Sequence, residues 1–332
     1  MIPNQWYAVL ESRQVKRNKP IGVTRLGEKL VFWRDQRGQV ICLRDQCRHR
    51  GAALSQGKVL NDHIQCPFHG FEYDPSGQCV LIPARGENAP LPKNYTVESY
   101  PIQEAHDFIW LWWGEPSQEY PELPWFEDLD AHWSYGRDFD LWPVHYSRAI
   151  ENQLDVFHLP FVHHNTIGRG ERFVSDGPIT QLEGDTLKVW VRNRHDKGEQ
   201  ARMASALSQP SGPAMLHFKF PHLWMNRISA DFRIVIAFVP VDEGHTRFYL
   251  RYYQRMINLP ILRGLVNWFA AIGSRVIVKQ DRSVVITQQP IKSAYRMDER
   301  LIHADRPIIQ YRQHREALIL QAGDSAPSNQ GK

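Results

Sequence analysis

The sequence predicts an α+β protein in two parts, an all-β N-terminal half and then an antiparallel sheet with helices packed on it. Three observations lead there. Residues 1 to about 114 hold short runs rich in β-branched and aromatic residues, separated by turn chemistry. The stretch GEPSQEYPELP (114–124) is proline-rich and polar, as a linker is. Beyond it come a helical stretch, longer apolar strands and further apolar helical stretches, in that order. The chain has 332 residues, 42% of them hydrophobic, which is enough for a core and long enough to divide into two domains.

The strand runs of the first half are QWYAVL, KLVFWRD, QVICLRD, IQCPFHGFEYD, QCVLIP and DFIWLWWG, with DQRGQ and DPSGQ as turns. In the second half SRAIENQLDVFHLPFV (147–162) reads as a helix running to Pro160. TLKVWVRN, MLHFKF, DFRIVIAFVPV and HTRFYLRYYQRM read as strands, and two helices are expected over about 259–273 and 274–288. The tail GDSAPSNQGK reads as disordered.

The net charge of +4 is spread along the chain with no long basic run, which argues against a nucleic-acid partner. The N-terminus lacks a charged-then-apolar leader. The longest apolar stretch, LPILRGLVNWFAAIGSRVIV (259–278), is interrupted by two arginines and reads as a buried or half-buried helix, not a bilayer span. A cytoplasmic protein with no membrane partner is therefore expected. Four cysteines, Cys42, Cys47, Cys66 and Cys79, suit metal ligands or small buried residues better than a disulfide scaffold. Eleven tryptophans, clustered in FIWLWWG (108–114) and LPWFEDLDAHW (123–133), suit packing better than a ligand cage.

Residues 47–70, CRHRGAALSQGKVLNDHIQCPFHG, reduce to Cys47-x-His49, sixteen residues, then Cys66-x-x-His69. Zinc is one reading. However, structural zinc usually draws its thiolates from one loop and its histidines from another, whereas here each loop supplies one of each. The boxes CRHRGAAL and CPFHGFEYDPSG resemble the cluster-binding boxes of Rieske domains, where two Cys hold one iron and two His the other. The resemblance implies Cys47, His49, Cys66 and His69 as ligands of a [2Fe–2S] cluster. Arg48 stands where proline is frequent in the family, and Phe71 where tryptophan is. Cytochrome-complex Rieske proteins carry an extra cysteine in each box and a serine after the second His-Gly. Here Arg48, Phe68 and Phe71 lie inside the boxes. With fewer donors to the sulfurs, the resemblance implies a potential near the low end of the Rieske range, roughly −150 mV.

A second constellation, ENQLDVFHLPFVHHN (151–165), holds Glu151, Asn152, Asp155, His158, His163 and His164. Asp155 and His158 are three apart and are expected on one helical face. Pro160 should end the helix, so that His163 turns back toward His158. Two histidines and a carboxylate on one face of a metal, with positions left open, suit a non-haem Fe(II) oxygenase. The stretch resembles the Asp-x₂-His-x₄-His motif of Rieske non-haem iron oxygenase α subunits, matched by Asp155, His158 and His163. Asn152, three before the Asp, places the match in the vanillate O-demethylase-like branch. The resemblance implies His158, His163 and a downstream carboxylate, Asp281 in VIVKQDRSVVITQQ, as ligands of a mononuclear Fe(II). The family often has an acidic residue just before that Asp; this chain has Gln280. His164 reads as a pocket neighbour.

The resemblance implies a Rieske domain over 1–115, a helix-grip catalytic domain over 116–322 and a flexible tail over 323–332. It implies a terminal oxygenase that uses O₂ to hydroxylate or demethylate a small aromatic or cyclic substrate. The chain holds no Gly-x-Gly-x-x-Gly fingerprint and no room for a flavin or nicotinamide domain, so a separate NAD(P)H-dependent reductase, a ferredoxin, or both must supply electrons. The family's head-to-tail homotrimer implies that His69 of one subunit meets Asp155 of the next, with Asp155 holding His158 as an electron bridge. A cis-dihydroxylating arene dioxygenase, an electron-transfer Rieske protein with a silent second domain, and a structural zinc protein are the competing readings. Arg227 and Arg251, on expected strands, suit either a substrate carboxylate or a solvated face.

Overall fold

The computed structural model describes residues 1–210, 212–257 and 260–324. Its contacts divide the chain into two compact units, Pro3–Pro121 and a second made of Met1–Ile2 with Glu122–Lys332. The division falls inside the proline-rich stretch 114–124. From residue 325 on, the expected tail lies outside the described residues.

The first unit is all-β. Its strands are β1 (Gln5–Glu11), β2 (Ile21–Arg25), β3 (Glu28–Arg34), β4 (Val40–Arg44), β5 (Lys58–Leu60), β6 (His63–Gln65), β7 (Glu72–Tyr73), β8 (Cys79–Leu81), β9 (Ile102–Ala105) and β10 (Phe108–Trp113). They form three antiparallel sheets ordered β1-β10-β9, β2-β3-β4 and β5-β6-β7-β8. The tryptophan-rich run is β10, the middle strand of its sheet, which explains why it is buried at almost every position. The single run IQCPFHGFEYD resolves into β6, a loop and β7. One core joins Val31, Trp33, Leu43, Leu54, Ile64 and Tyr73 to Cys47 and Cys66, so the two cysteine loops rest directly on packed apolar side chains.

The second unit carries β11 (Ser134–Trp142), α1 (Tyr146–Leu154), α2 (Leu159–Val162), β12 (Val174–Glu183), β13 (Thr186–Arg194), β14 (Leu216–Lys219), β15 (Leu223–Arg227), β16 (Phe232–Pro240), β17 (Thr246–Gln254), α3 (Pro260–Val285) and α4 (Arg306–Asp324). Seven strands form one antiparallel sheet ordered β11-β17-β16-β15-β14-β13-β12. Period-two alternation sends Ile236 and Phe238 of β16, and Phe248, Leu250 and Tyr252 of β17, into a core with Ala149, Ile150 and Leu154 of α1, Val285 of α3 and Tyr311 of α4. Full burial of such a side chain contributes about 1.5–3 kcal/mol, which makes this face the main anchor of the helices.

Alternate residues of the same strands face the other way. Arg251 is fully buried there, stacked over Tyr135 and donating to the Tyr253 hydroxyl at 3.2 Å, so it is not on a solvated face. Trp125 and Trp133 are buried, and Trp133 has the guanidiniums of Arg233 and Arg255 each 4.9 Å from its ring. These tryptophans are packing elements, as their clustering suggested.

Three expected elements differ from the structure. The helix expected over 147–162 stops at Leu154. Asp155 has extended backbone, and its Oδ1 accepts from the amides of Phe157 and His158, a local turn that competes with helix. Asp155 and His158 therefore meet across a turn and not along a helical face. The two helices expected over 259–273 and 274–288 are one helix, α3, with Leu259 outside the described residues. Leu262 and Val276 on it are half exposed, so the helix is not buried throughout.

Candidate metal centres

The two loops of the first unit are built alike. The Cys47 amide donates to the Ala52 carbonyl at 2.8 Å, and the Gly51 amide back to the Cys47 carbonyl at 2.9 Å. Five and four residues apart again, the Cys66 amide donates to Phe71 at 2.7 Å and Gly70 to Cys66 at 3.1 Å. Gly51 and Gly70 both have positive φ, +75° and +73°, the left-handed conformation in which glycine closes such a loop without strain.

The sulfur ends of the loops are buried, Cys47 3% and Cys66 2% exposed, and the Cys66 thiol is hydrogen-bonded to Cys47. Burial pushes the Cys66 thiol up, against amide hydrogen bonds from Phe68 and His69. The imidazoles of His49 and His69 are exposed and meet edge to face at 4.6 Å. Thiols inside and imidazoles outside are what a two-iron cluster needs, since its inner iron takes sulfur and its outer iron nitrogen. A single tetrahedral zinc needs all four donors around one point. Among the described residues no three of these four donor atoms lie within 4.8 Å of one another. The geometry therefore suits the cluster and not zinc.

Two neighbours of this site make contacts that the sequence did not show. Phe71 stacks on the His49 ring at 4.7 Å and 3°. Tyr73, at the end of β7, puts its hydroxyl 3.2 Å from Cys47 Sγ and accepts from the Arg48 amide. Burial and the nearby Cys47 push the Tyr73 phenol well above its ordinary value, so it stays a donor. The hydroxyl can therefore donate to the sulfur of Cys47, a candidate ligand, where Phe71 could offer no donor. Its signal was a tyrosine two residues past the second box's Phe71.

In the second unit His158, His163 and Asp281 bring one ligand atom each within 4.8 Å of one another, the only such group among the described residues. His158 begins α2 and His163 ends it, one turn of helix bringing their rings to 5.3 Å. Asp281, near the end of α3, places Oδ1 2.9 Å from His163 Nε2 and 3.4 Å from His158 Nε2. Burial would lower the His158 pKa, but Asp155 and Asp281 outweigh it and push it up to about 9. Burial would raise Asp281, but the two imidazoles hold it at about 2. Three donors that must share protons in this way are charge-matched to a divalent cation in their midst.

The flanking side chains are polar. Asn152 and Gln153 donate to the Asp281 carboxylate at 3.4 and 3.3 Å. Asp155 Oδ1 stands 3.3 Å from His158 Nδ1. Gln280 Oε1 is 3.0 Å from His163 Nδ1, and the same amide holds Asn165 and Thr166. Glu151, a rival acid by sequence, faces away and is clasped by Arg148 and Arg312. His164 is exposed, bonded to the Phe161 carbonyl. Gln153 and Thr166 went unread in the sequence, because a lone carboxamide or hydroxyl carries no spacing signal, and Gln280 stood out only as a departure from the family's acidic residue.

Comparison with known proteins gives consistent matches. Residues 5–101 match the family described as Rieske [2Fe-2S] domain, and residues 142–321 that described as vanillate O-demethylase oxygenase C-terminal domain. The vanillate O-demethylase oxygenase subunit of Pseudomonas sp. (strain HR199 / DSM 7063) is 33% identical over 190 residues, 55% of this chain and 51% of that protein. Methylxanthine N3-demethylase NdmB of Pseudomonas putida is 27% identical over 335 residues, 96% of this chain and 89% of that protein. Protein TIC 55 of Arabidopsis thaliana is 24% identical across 86% of this chain and 53% of its own length, so the chain spans about half of several curated relatives it matches. Among solved structures, NdmB superposes with a TM-score of 0.76 at 25% identity, over 97% of this chain and 92% of that one. Dicamba monooxygenase bound to dicamba superposes at 0.73 with 20% identity, over 98% and 99%.

Proposed function

Because the chain belongs to the Rieske non-haem iron oxygenases, with a Rieske [2Fe-2S] domain followed by a vanillate O-demethylase-type C-terminal domain, we propose that it is the terminal oxygenase of a multicomponent system. The substrate is a small organic molecule, aromatic or cyclic, which it hydroxylates or demethylates with O₂. Demethylation is hydroxylation of a methyl group that then leaves as formaldehyde. Electrons come from a separate NAD(P)H-dependent reductase, a ferredoxin, or both. Relatives described as an oxygenase subunit, an oxygenase component and an iron-sulfur subunit of a monooxygenase system support this division of labour. Cytoplasmic residence belongs to the same proposal; among the described residues no helix is long and apolar enough to cross a membrane.

When bound, a Rieske cluster supplies electrons one at a time, and a ferrous ion in a two-His, one-carboxylate site supplies open positions for O₂ and substrate. Cys47, Cys66, His49 and His69 would hold the first, and His158, His163 and Asp281 the second. Buried thiols keep one end of the cluster dry, and exposed imidazoles leave the other end accessible. Asp155 Oδ1 holds the backbone amides of Phe157 and His158 and stands 3.3 Å from His158 Nδ1, while its Oδ2 has no partner among the described residues. That free oxygen suits the proposed contact with His69 of a neighbouring subunit in a head-to-tail homotrimer.

The observation that carries the proposal is the convergence of His158, His163 and Asp281 in a chain that also holds two matched Cys/His loops. Protein purified anaerobically should contain about three irons and two acid-labile sulfides per chain, with a Rieske-type EPR signal after dithionite reduction. His158→Ala and Asp281→Ala should each lose one iron and keep the signal. A wild-type protein with two irons that Fe(II) cannot raise would leave only an electron carrier. Zinc without sulfide would overturn the reading of both loops.

A further inference from the structure

We infer that Gln280 is a positioning residue of the mononuclear site, holding the His163 ring with Nε2 turned toward Asp281, where a metal would be held, while adding no charge. This rests on the reading of His158, His163 and Asp281 as metal ligands.

Gln280 and Asp281 are consecutive on α3, and successive side chains of a helix diverge by about 100°. They pass on either side of one imidazole. Asp281 Oδ1 reaches His163 Nε2 at 2.9 Å, and Gln280 Oε1 reaches Nδ1 at 3.0 Å. The carboxamide has two further contacts consistent with this orientation. Its Nε2 donates to Asn165 Oδ1 at 2.7 Å, and its Oε1 accepts from the Thr166 hydroxyl at 3.0 Å. With Oε1 facing Nδ1, Nδ1 brings a proton to that bond, and Nε2 is the nitrogen turned toward Asp281 and the position a metal would take. The ring is buried, 1% exposed, and Thr166 also donates its amide to the His163 carbonyl at 2.8 Å. Ring and following turn are thus held as one piece.

The two imidazoles are backed differently. Behind His158 stands a carboxylate, Asp155, at 3.3 Å, and behind His163 a neutral carboxamide. Asp155 and Asp281 together balance the charge of a divalent ion. A third carboxylate at 280 would leave the centre with excess negative charge, strengthening the hold on a cation and altering its electronic character. Gln280 gives the orientation of a backing group without that charge.

The test is Fe(II) affinity, measured anaerobically by calorimetry on protein that keeps its cluster and has lost the mononuclear metal, alongside the melting temperature of the same metal-depleted protein. Gln280→Ala should bind Fe(II) about 10–100-fold more weakly, the usual cost of losing a group that orients a ligand, with the melting temperature little changed. Gln280→Glu keeps an acceptor and should bind at least as tightly as wild type, with a shifted EPR signal for the Fe(II) nitrosyl complex. Unchanged affinity in Gln280→Ala would overturn the inference. So would a Gln280→Glu as weak as the alanine variant, since the amide would then serve only to staple Asn165 to α3. If wild type itself takes up no Fe(II), the metal reading falls, and this one with it.

Discussion

At Asp155 one oxygen, Oδ1, accepts from the amides of Phe157 and His158 and faces His158 Nδ1 at 3.3 Å. Asparagine has the same shape and keeps that acceptor, so Asp155→Asn should preserve the turn and both metal contents. It removes the charge that the proposed bridge requires. Turnover should fall by about 10–100-fold, the usual effect of losing such a partner, with iron unchanged; normal turnover would remove Asp155 from the electron path. Tyr73 acts at the same scale. Its hydroxyl is 3.2 Å from Cys47 Sγ, and such a bond favours the more electron-rich, reduced cluster. One hydrogen bond contributes about 1 kcal/mol, or roughly 40 mV in a one-electron couple. Tyr73→Phe should lower the reduction potential by that amount in a redox titration followed by EPR, and an unchanged midpoint would mean that the contact does not tune the cluster.

At the scale of elements, α1 is tied to α4 by a buried ion network. Glu151 receives Arg312 through two contacts of 2.8 Å and Arg148 at 3.1 Å, and Glu299 joins the two arginines. Glu151→Gln leaves two buried guanidiniums short of an anion. It should cost about 3–5 kcal/mol in denaturant unfolding, because an uncompensated buried charge is more costly than the pair was favourable. A loss below about 1 kcal/mol would show that Glu299 alone neutralises both. The β12–β13 pair anchors the long connection to β14 through Asp176, whose buried carboxylate accepts from the Arg202 amide and from the side chains of Arg202 and Arg194. Burial alone would raise its pKa, but Arg202 and Arg194 outweigh it and hold it at about 2, below the ordinary 3.8. A depressed carboxylate stabilises the fold fully above pH 3.8 and loses that contribution as pH falls through about 2. Asp176→Asn should therefore be less stable than wild type at neutral pH, by roughly 1–3 kcal/mol, and the gap should narrow below pH 3.8 and close as pH falls through about 2. A gap that persisted in acid would place the effect in packing.

For the whole molecule, order along the chain carried most of the reading. The Rieske-like boxes precede the two-His motif, and Asp281 follows both, as the family order requires. The strands of the second half were legible where residues alternated, as in β13 and β14, or where β-branched and aromatic residues ran on, as in β16 and β17. They were not legible in β11 and β12, whose polar alternate positions resemble loop. The helix break at Asp155 was misread because the side chain's competition for backbone amides is decided over two or three residues, below the resolution of a hydrophobic period.

The sequence by itself determined the types and spacing of the candidate ligands and the two-part α+β architecture, because those follow from residue chemistry and local periodicity. Only the tertiary structure decided which side chains back the ligands. Gln280 lies 117 positions from His163, Asp281 lies 129 from Asn152, and Tyr73 lies 26 from Cys47. Contacts at such separations arise only when the core draws β7 onto the Cys47 loop and packs α3 beside α1 and α2. The residues that tune a site are therefore set by packing, whereas the residues that form it are set by chemistry that spacing alone can show.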